Sequence, residues 1–168
     1  FKISHLNSFV SNPNILLDGF LNGDIRLNKS IFPMFSGDFE VNEFYLNNVD
    51  LGSLKLNSFS NQSNDSLYAN GVIYDDMETM TFKSKYPFDG SRKISTDISF
   101  MNFPAEVLDS FIAPISNLRG DANGNLQLTG IVDDYKIFGA TQIDNIDFKI
   151  PYLNTRYLNH TDDLTVFF

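Results

Sequence analysis

The segment Leu17-Asp18-Gly19-Phe20-Leu21-Asn22-Gly23-Asp24-Ile25-Arg26-Leu27 returns near the other end of the chain as Leu118-Arg119-Gly120-Asp121-Ala122-Asn123-Gly124-Asn125-Leu126-Gln127-Leu128. Both copies follow L-x-G-x-x-N-G-x-(I/L)-x-L, and a second match, Gly37 to Leu46 with Gly139 to Phe148, follows at nearly the same spacing. A chain that repeats itself at a fixed offset must build the same local structure twice, as modular arrays do. In each copy Asn-Gly predicts a tight reversal with positive φ, and the alternation Ile25/Leu27 or Leu126/Leu128 predicts a strand after it. The repeat units run approximately over 17–117 and 118–168, the second incomplete. The opening on Phe1 and the apolar ending Thr165-Val166-Phe167-Phe168 are what a fragment of a longer protein would show.

Strand signals dominate the rest, because apolar residues recur at every second position in short blocks bounded by Asn, Asp, Gly and Ser. Strands are predicted around Asp24 to Leu27, Gly37 to Val41, Phe44 to Leu46, Ser53 to Asn57, Ser66 to Tyr74, Thr79 to Lys83 and Ile94 to Phe100. Further ones are predicted around Asn125 to Gly130, Ile137 to Ile143, Ile146 to Ile150 and Leu164 to Phe168. Phe39 and Val41 fall out of step with Phe44 and Leu46, and Ile143 with Ile146. A bulge or turn at the same place in both copies accounts for this. One short helix is expected near 103–112, where Pro104 sits at an opening position and Phe103, Val107, Leu108 and Phe111 share a face. Leu6 to Val10 precedes the first copy in the same way. Asn61 to Asp65 reads as a polar loop and Asp89-Gly90 as a turn.

Composition narrows the chemistry. With 42% apolar residues and 17 Phe the chain has the makings of a core. A net charge of −9, with twelve scattered Lys and Arg, argues against nucleic acid and against an anionic membrane surface. Without Cys there is neither a disulfide framework nor a thiolate metal site. No apolar run reaches the roughly 18 residues of a spanning helix. His5 and His160 have no partnering nucleophile or zinc motif. The acidic turns Asp133-Asp134 and His160-Thr161-Asp162-Asp163 lack the ligand spacing of a calcium loop. Glu40, Glu43, Glu78 and Glu106 invite a paired-carboxylate reading, but nothing in their spacing makes two of them converge. No glycine-rich phosphate loop precedes a helix. The expectation is a protein that is not an enzyme, with no cofactor and no metal.

What remains is an apolar stripe: Ile25, Leu27, Phe39, Val41, Leu54, Leu56, Met80, Phe82, Ile98, Phe100, Leu126, Leu128, Ile143, Ile146, Phe148 and Ile150. Two readings share it. In one it is the core of a closed β-sandwich binding module, an adhesin or glycan binder. In the other it lines an open groove. The absence of Trp weakens the glycan reading, and a sandwich gives no reason to repeat a turn and bulge.

Gly120, Gly124, Leu126, Leu128 and Gly130, then Phe148-Lys149-Ile150-Pro151-Tyr152-Leu153-Asn154-Thr155-Arg156-Tyr157 and the stretch Asp162 to Phe168, resemble the TamB family, the AsmA-like proteins of the bacterial envelope. In that family G-x-x-x-G-x-L-x-L-x-G leads through a strand pair to I-P-Y-L-N-x-x-Y, and Phe103-Pro104-Ala105-Glu106-Val107-Leu108 resembles the element that precedes it. The likeness covers about residues 94–168 well and 17–60 less closely, with Asn28 and Asn47-Asn48-Val49 as departures. The resemblance implies an elongated, curved antiparallel sheet, a β-taco, whose apolar groove conducts phospholipid acyl chains between inner and outer membranes. It also implies a role in outer-membrane protein assembly with a barrel of the BamA/TamA type. The implied location is the periplasm of a Bacteroidetes-like Gram-negative cell, with anchoring to the inner membrane through a segment outside this fragment. Asp65-Ser66-Leu67 fits the sequon O-glycosylated in that group, making Ser66 a candidate acceptor.

Overall fold

Short alternating blocks joined at Asn, Asp and Gly can satisfy their backbones only by pairing with sequence neighbours, and the chain does so almost throughout. The computed structural model describes residues 1–9, 15–28, 34–61, 66–111, 115–131, 134–158 and 164–167. Its strands are β1 (Leu17–Asn28), β2 (Met34–Leu46), β3 (Val49–Asp50), β4 (Ser53–Asn61), β5 (Ser66–Tyr74) and β6 (Glu78–Pro87). They continue with β7 (Ile94–Pro104), β8 (Ser116–Ile131), β9 (Asp134–Ile150), β10 (Thr155–Leu158) and β11 (Leu164–Phe167). They form one 11-stranded antiparallel sheet in the order β1-β2-β4-β5-β6-β7-β8-β9-β10, with β3 a stub on β2 and β11 beside β10 along β9. The sheet is open and curved, so the all-β expectation holds, and the described strands form one sheet and not a closed two-sheet sandwich. Among the described residues no helix is long and apolar enough to cross a membrane.

The textual repeat is also a repeat of geometry. Between the pairs Asp18↔Tyr45 and Phe20↔Asn42, β2 holds one residue more than β1. Between Arg119↔Asp147 and Asp121↔Asp144, β9 holds one more than β8. Glu43 (φ 51°) and Asn145 (φ 54°) are the left-handed residues of these two bulges, and Gly19 (φ 140°) and Gly120 (φ 135°) face them. The bulge keeps Val41 and Phe44 on one side of the sheet, and likewise Ile143 and Ile146; all four are buried. The glycine is required twice over. Its φ is hostile to an L side chain, and a Cβ would lie 2.7 Å from Val41 Cγ1 at Gly19 and 2.5 Å from the Asp144 carbonyl at Gly120. Gly120→Ala is therefore expected to destabilise the protein by about 2 kcal/mol in urea unfolding, with Gly19→Ala close to it.

Asn22-Gly23 and Asn123-Gly124, read as reversals in the sequence, lie inside β1 and β8 with extended backbone. A Cβ on Gly23 would meet the Asp38 carbonyl at 2.5 Å, so this glycine serves close strand approach and not a turn. Because no turn intervenes, β1 and β8 begin much earlier than predicted. The paired blocks around the bulges fuse into single long strands, β2 and β9. β3 and β10 were not anticipated; Asn47 and Asn48, both at positive φ, make a tight reversal into β3.

The predicted helix at 103–112 is a 3₁₀ helix over Ala105–Phe111. Phe103 and Pro104 belong to the end of β7, where they pair with Ala122 and Asp121. A proline at a strand end forfeits little ladder bonding, and a segment this short favours 3₁₀ over α geometry. Phe103, Val107 and Leu108 are buried as expected; the Phe111 side chain and Ile112 lie outside the described residues. A counterpart, Ile3–Phe9, stands before β1. Each helix reaches the strand that follows it through one side chain: Asn7 brackets Leu17, accepting its N–H and donating to its carbonyl, both at 2.9 Å. Asp109 accepts the N–H groups of Asn117 and Leu118, both at 3.2 Å. Asp109→Ala is expected to cost about 1–2 kcal/mol in a thermal or urea melt, because two backbone donors lose their acceptor.

These helices, with Phe44, Leu51, Ile73, Phe103, Leu118, Ala122, Ile143 and Ile146, form the core, which lies along the bulged end of the sheet. Thr141 is buried among them with a hydroxyl that has no hydrogen-bond partner. Thr141→Val keeps the shape and removes that orphan group, so a gain of about 1 kcal/mol is expected in urea unfolding.

Candidate binding groove

Cross-strand register decides which side chains share a face. From Gly23 the partners run Phe39, Leu56, Gly71, Phe82, Ile98, Leu126 and Gly139, one continuous row over β1, β2, β4, β5, β6, β7, β8 and β9. At about 4.8 Å per strand the row spans roughly 34 Å of sheet. A parallel row runs Leu21, Val41, Leu54, Ile73, Met80, Phe100, Gly124 and Thr141. On the other side of the first, a row through Ile25, Gly37, Ser58, Ala69, Ser84, Thr96, Leu128 and Ile137 is small and hydroxylic in its middle. There Ser84 and Thr96 hydrogen-bond at 2.9 Å.

The predicted stripe from Ile25 to Ile143 thus lies on one face, and the Asn145 bulge returns Ile146, Phe148 and Ile150 to it. The structure divides the stripe by depth. Val41, Ile143 and Ile146 are packed into the core, and Leu126 is buried. Phe39, Leu54, Leu56, Met80, Phe82, Ile98, Phe100, Leu128, Phe148 and Ile150 are half-buried. Ile25 and Leu27 are 59% and 61% exposed. The floor also contains residues that sequence reasoning did not pick, above all the glycines. A Cβ on Gly71 would overlap the Phe82 ring, and Gly37 seats Phe39 in the same way. The rings occupy the space that a Cβ would fill, which keeps the face shallow. A glycine in one strand and a phenylalanine in another carry no visible link in a single sequence. The trough of about 610 Å³ over β1, β2, β4 and β5 belongs to the opposite face, between the rows Asn22-Glu40-Lys55-Val72 and Asp24-Asp38-Asn57-Asn70, with Gly23, Phe39, Leu56 and Gly71 at its floor.

The opposite face is mainly polar, although it also carries Phe59, Tyr68, Val72 and Phe138. Asn57 donates to Asp38 at 2.7 Å, Ser99 to Asn125 at 2.7 Å, and Gln127 to Asp97 at 3.1 Å. Glu40, out of phase with Phe39 and Val41, accepts from the Tyr74 hydroxyl at 2.8 Å, and Lys55 lies 4.5 Å over the Tyr74 ring. The Tyr74 hydroxyl, and secondarily Glu40, hold the Lys55 ammonium above its usual range. At the edge, the Gly19 N–H and then Lys2, 3.2 Å away, keep Asp18 below the ordinary carboxylate range despite some desolvation. These are solvated interactions of small energetic weight.

Glu40 and Glu43 lie on β2, Glu78 begins β6, and Glu106 sits in the 3₁₀ helix before β8. Among the described residues no three of His, Asp and Glu gather as metal ligands. His5 is exposed and packs edge-on against Phe1 at 5.7 Å; His160, Asp133 and Asp162-Asp163 lie outside the described residues. Asp89 caps its turn through the Ser91 N–H at 2.8 Å. Ser66 opens β5 with 1% exposure, so a glycosyltransferase would reach its hydroxyl only if the start of that strand were open.

Comparison with known proteins finds no matching family model, no matching curated protein and no matching solved structure.

Proposed function

We propose that this chain is a non-enzymatic envelope segment whose apolar sheet face holds phospholipid acyl chains. The observation that carries the reading is the one-sided sheet: a row of aliphatic and aromatic side chains over glycines crosses eight strands, and no second sheet lies over it among the described residues. Contiguous apolar surface of this extent is costly in water and calls for an occupant. Hydrocarbon suits it because acyl chains need no directional bonds, and each buried CH₂ contributes about 0.8 kcal/mol. The row, at roughly 34 Å, exceeds half of the ~30 Å hydrocarbon core of a bilayer, so one lipid tail fits along it with room to slide.

The motif resemblance to the TamB family supports carrying the proposal further, to phospholipid transport between inner and outer membranes in the periplasm. It also supports assistance to outer-membrane protein assembly beside a BamA/TamA-type barrel. The shallow floor favours passage over tight capture, since a conduit needs low specificity at each site.

The test is a titration with phosphatidylcholines of increasing chain length, held below their micelle concentrations. Affinity is expected to climb by up to about fourfold per CH₂ added to a tail, the limit set by full burial. Binding that ignores chain length, or no binding at all, would rule the reading out.

A further inference from the structure

We propose that the free edge of β1 from Gly23 to Leu27 is a strand-addition site for an extended segment with the alternation of β7, running antiparallel to β1 and finishing where Phe1 begins. The inference does not depend on what fills the groove.

The internal repeat supplies the comparison. In the second copy Phe103 and Pro104 pair with Ala122 and Asp121, and the 3₁₀ helix follows at once. In the first copy Phe1 and Lys2 do the same. Leu21 donates its N–H to the Phe1 carbonyl at 2.7 Å, the Phe1 amino group donates to the Leu21 carbonyl at 3.0 Å, and Lys2 bridges Phe20. Phe1-Lys2 thus occupies the position of the last two residues of β7.

Beyond that point the copies differ. β7 runs on along β8, setting Phe100 against Gly124, Ile98 against Leu126 and Thr96 against Leu128. The corresponding positions of β1 are Gly23, Ile25 and Leu27, and no described strand lies against them. The cost shows in burial: Leu126 is 7% exposed, whereas its counterpart Ile25 is 59% exposed. Because Leu21 turns its N–H and C=O outward to Phe1, alternation turns those of Gly23, Ile25 and Leu27 outward too, a row of backbone groups with no strand partner among the described residues. Strand addition would satisfy these groups and extend the apolar row by one strand, with apolar side chains opposite Gly23 and Ile25.

The experiment is amide hydrogen exchange read residue by residue, with a synthetic peptide of the Ile94 to Asn102 sequence and a scrambled peptide as control. Gly23, Ile25 and Leu27 should exchange quickly in the protein alone. They should slow by roughly tenfold or more with the β7 peptide and stay unchanged with the scrambled one. Asn22, Asp24 and Arg26, which face β2, should be slow throughout. Unchanged exchange at a saturating peptide concentration would overturn the proposal. So would slow exchange at Gly23, Ile25 and Leu27 without peptide in a protein that sediments as a dimer, because a second copy would then own the edge.

Discussion

Ile143→Asp is expected to unfold the protein. Ile143 is fully buried, pairs with Ala122, and lies in the same core cluster as Ala105, Val107 and Leu108 of the 3₁₀ helix. An unpaired carboxylate there has no partner and no route to water, a penalty of roughly 3–5 kcal/mol on top of the lost packing. Since whole domains are stable by only about 5–15 kcal/mol, the circular-dichroism melt of this variant should lose its cooperative transition or begin below room temperature. A normal melt would mean that the bulged end of the sheet is not the core.

Phe82→Asp should do the reverse. Phe82 sits mid-row between Gly71 and Ile98 on the apolar face and is half-buried. A carboxylate here stays hydrated, so the stability loss is about 1–2 kcal/mol, mainly from uncovering Gly71. The same charge interrupts the hydrocarbon path across the sheet, and acyl-chain binding should fall at least tenfold, or about 1.4 kcal/mol. Melting and lipid titration on the same sample check both halves. Ile98→Asp, its cross-strand neighbour, should behave alike. If both variants unfold as completely as Ile143→Asp, the face is a closed core and the groove does not exist.

The contrast between these two positions shows what a sequence can carry. Period-two alternation placed Ile143, Phe82 and Ile98 on the same face correctly, because facing is a local property of an extended chain. Depth is not local. Whether a side chain on that face lies under a 3₁₀ helix or in the open depends on where Ala105–Phe111 and Ile3–Phe9 land, and on cross-strand register. The phase change at Asn42-Glu43 and Asp144-Asn145 was legible as a bulge because it occurs twice. The same repetition misled at Asn22-Gly23 and Asn123-Gly124, where a dipeptide that favours reversals lies within a strand. There the demand for close backbone approach outweighs turn propensity, and no local pattern reports it. The clamp from Asn7 and Asp109 was hidden for a similar reason: an Asn and an Asp in loosely similar segments gain meaning only once both are seen to hold the strand that follows.

Native mass spectrometry of the protein purified from a bacterial envelope preparation, with lipid extraction of the same sample, tests the groove most directly. Phospholipid is expected to co-purify with wild-type protein and to be lost in Phe82→Asp, with both proteins folded. Lipid-free, monodisperse wild-type protein that melts cooperatively would contradict that expectation.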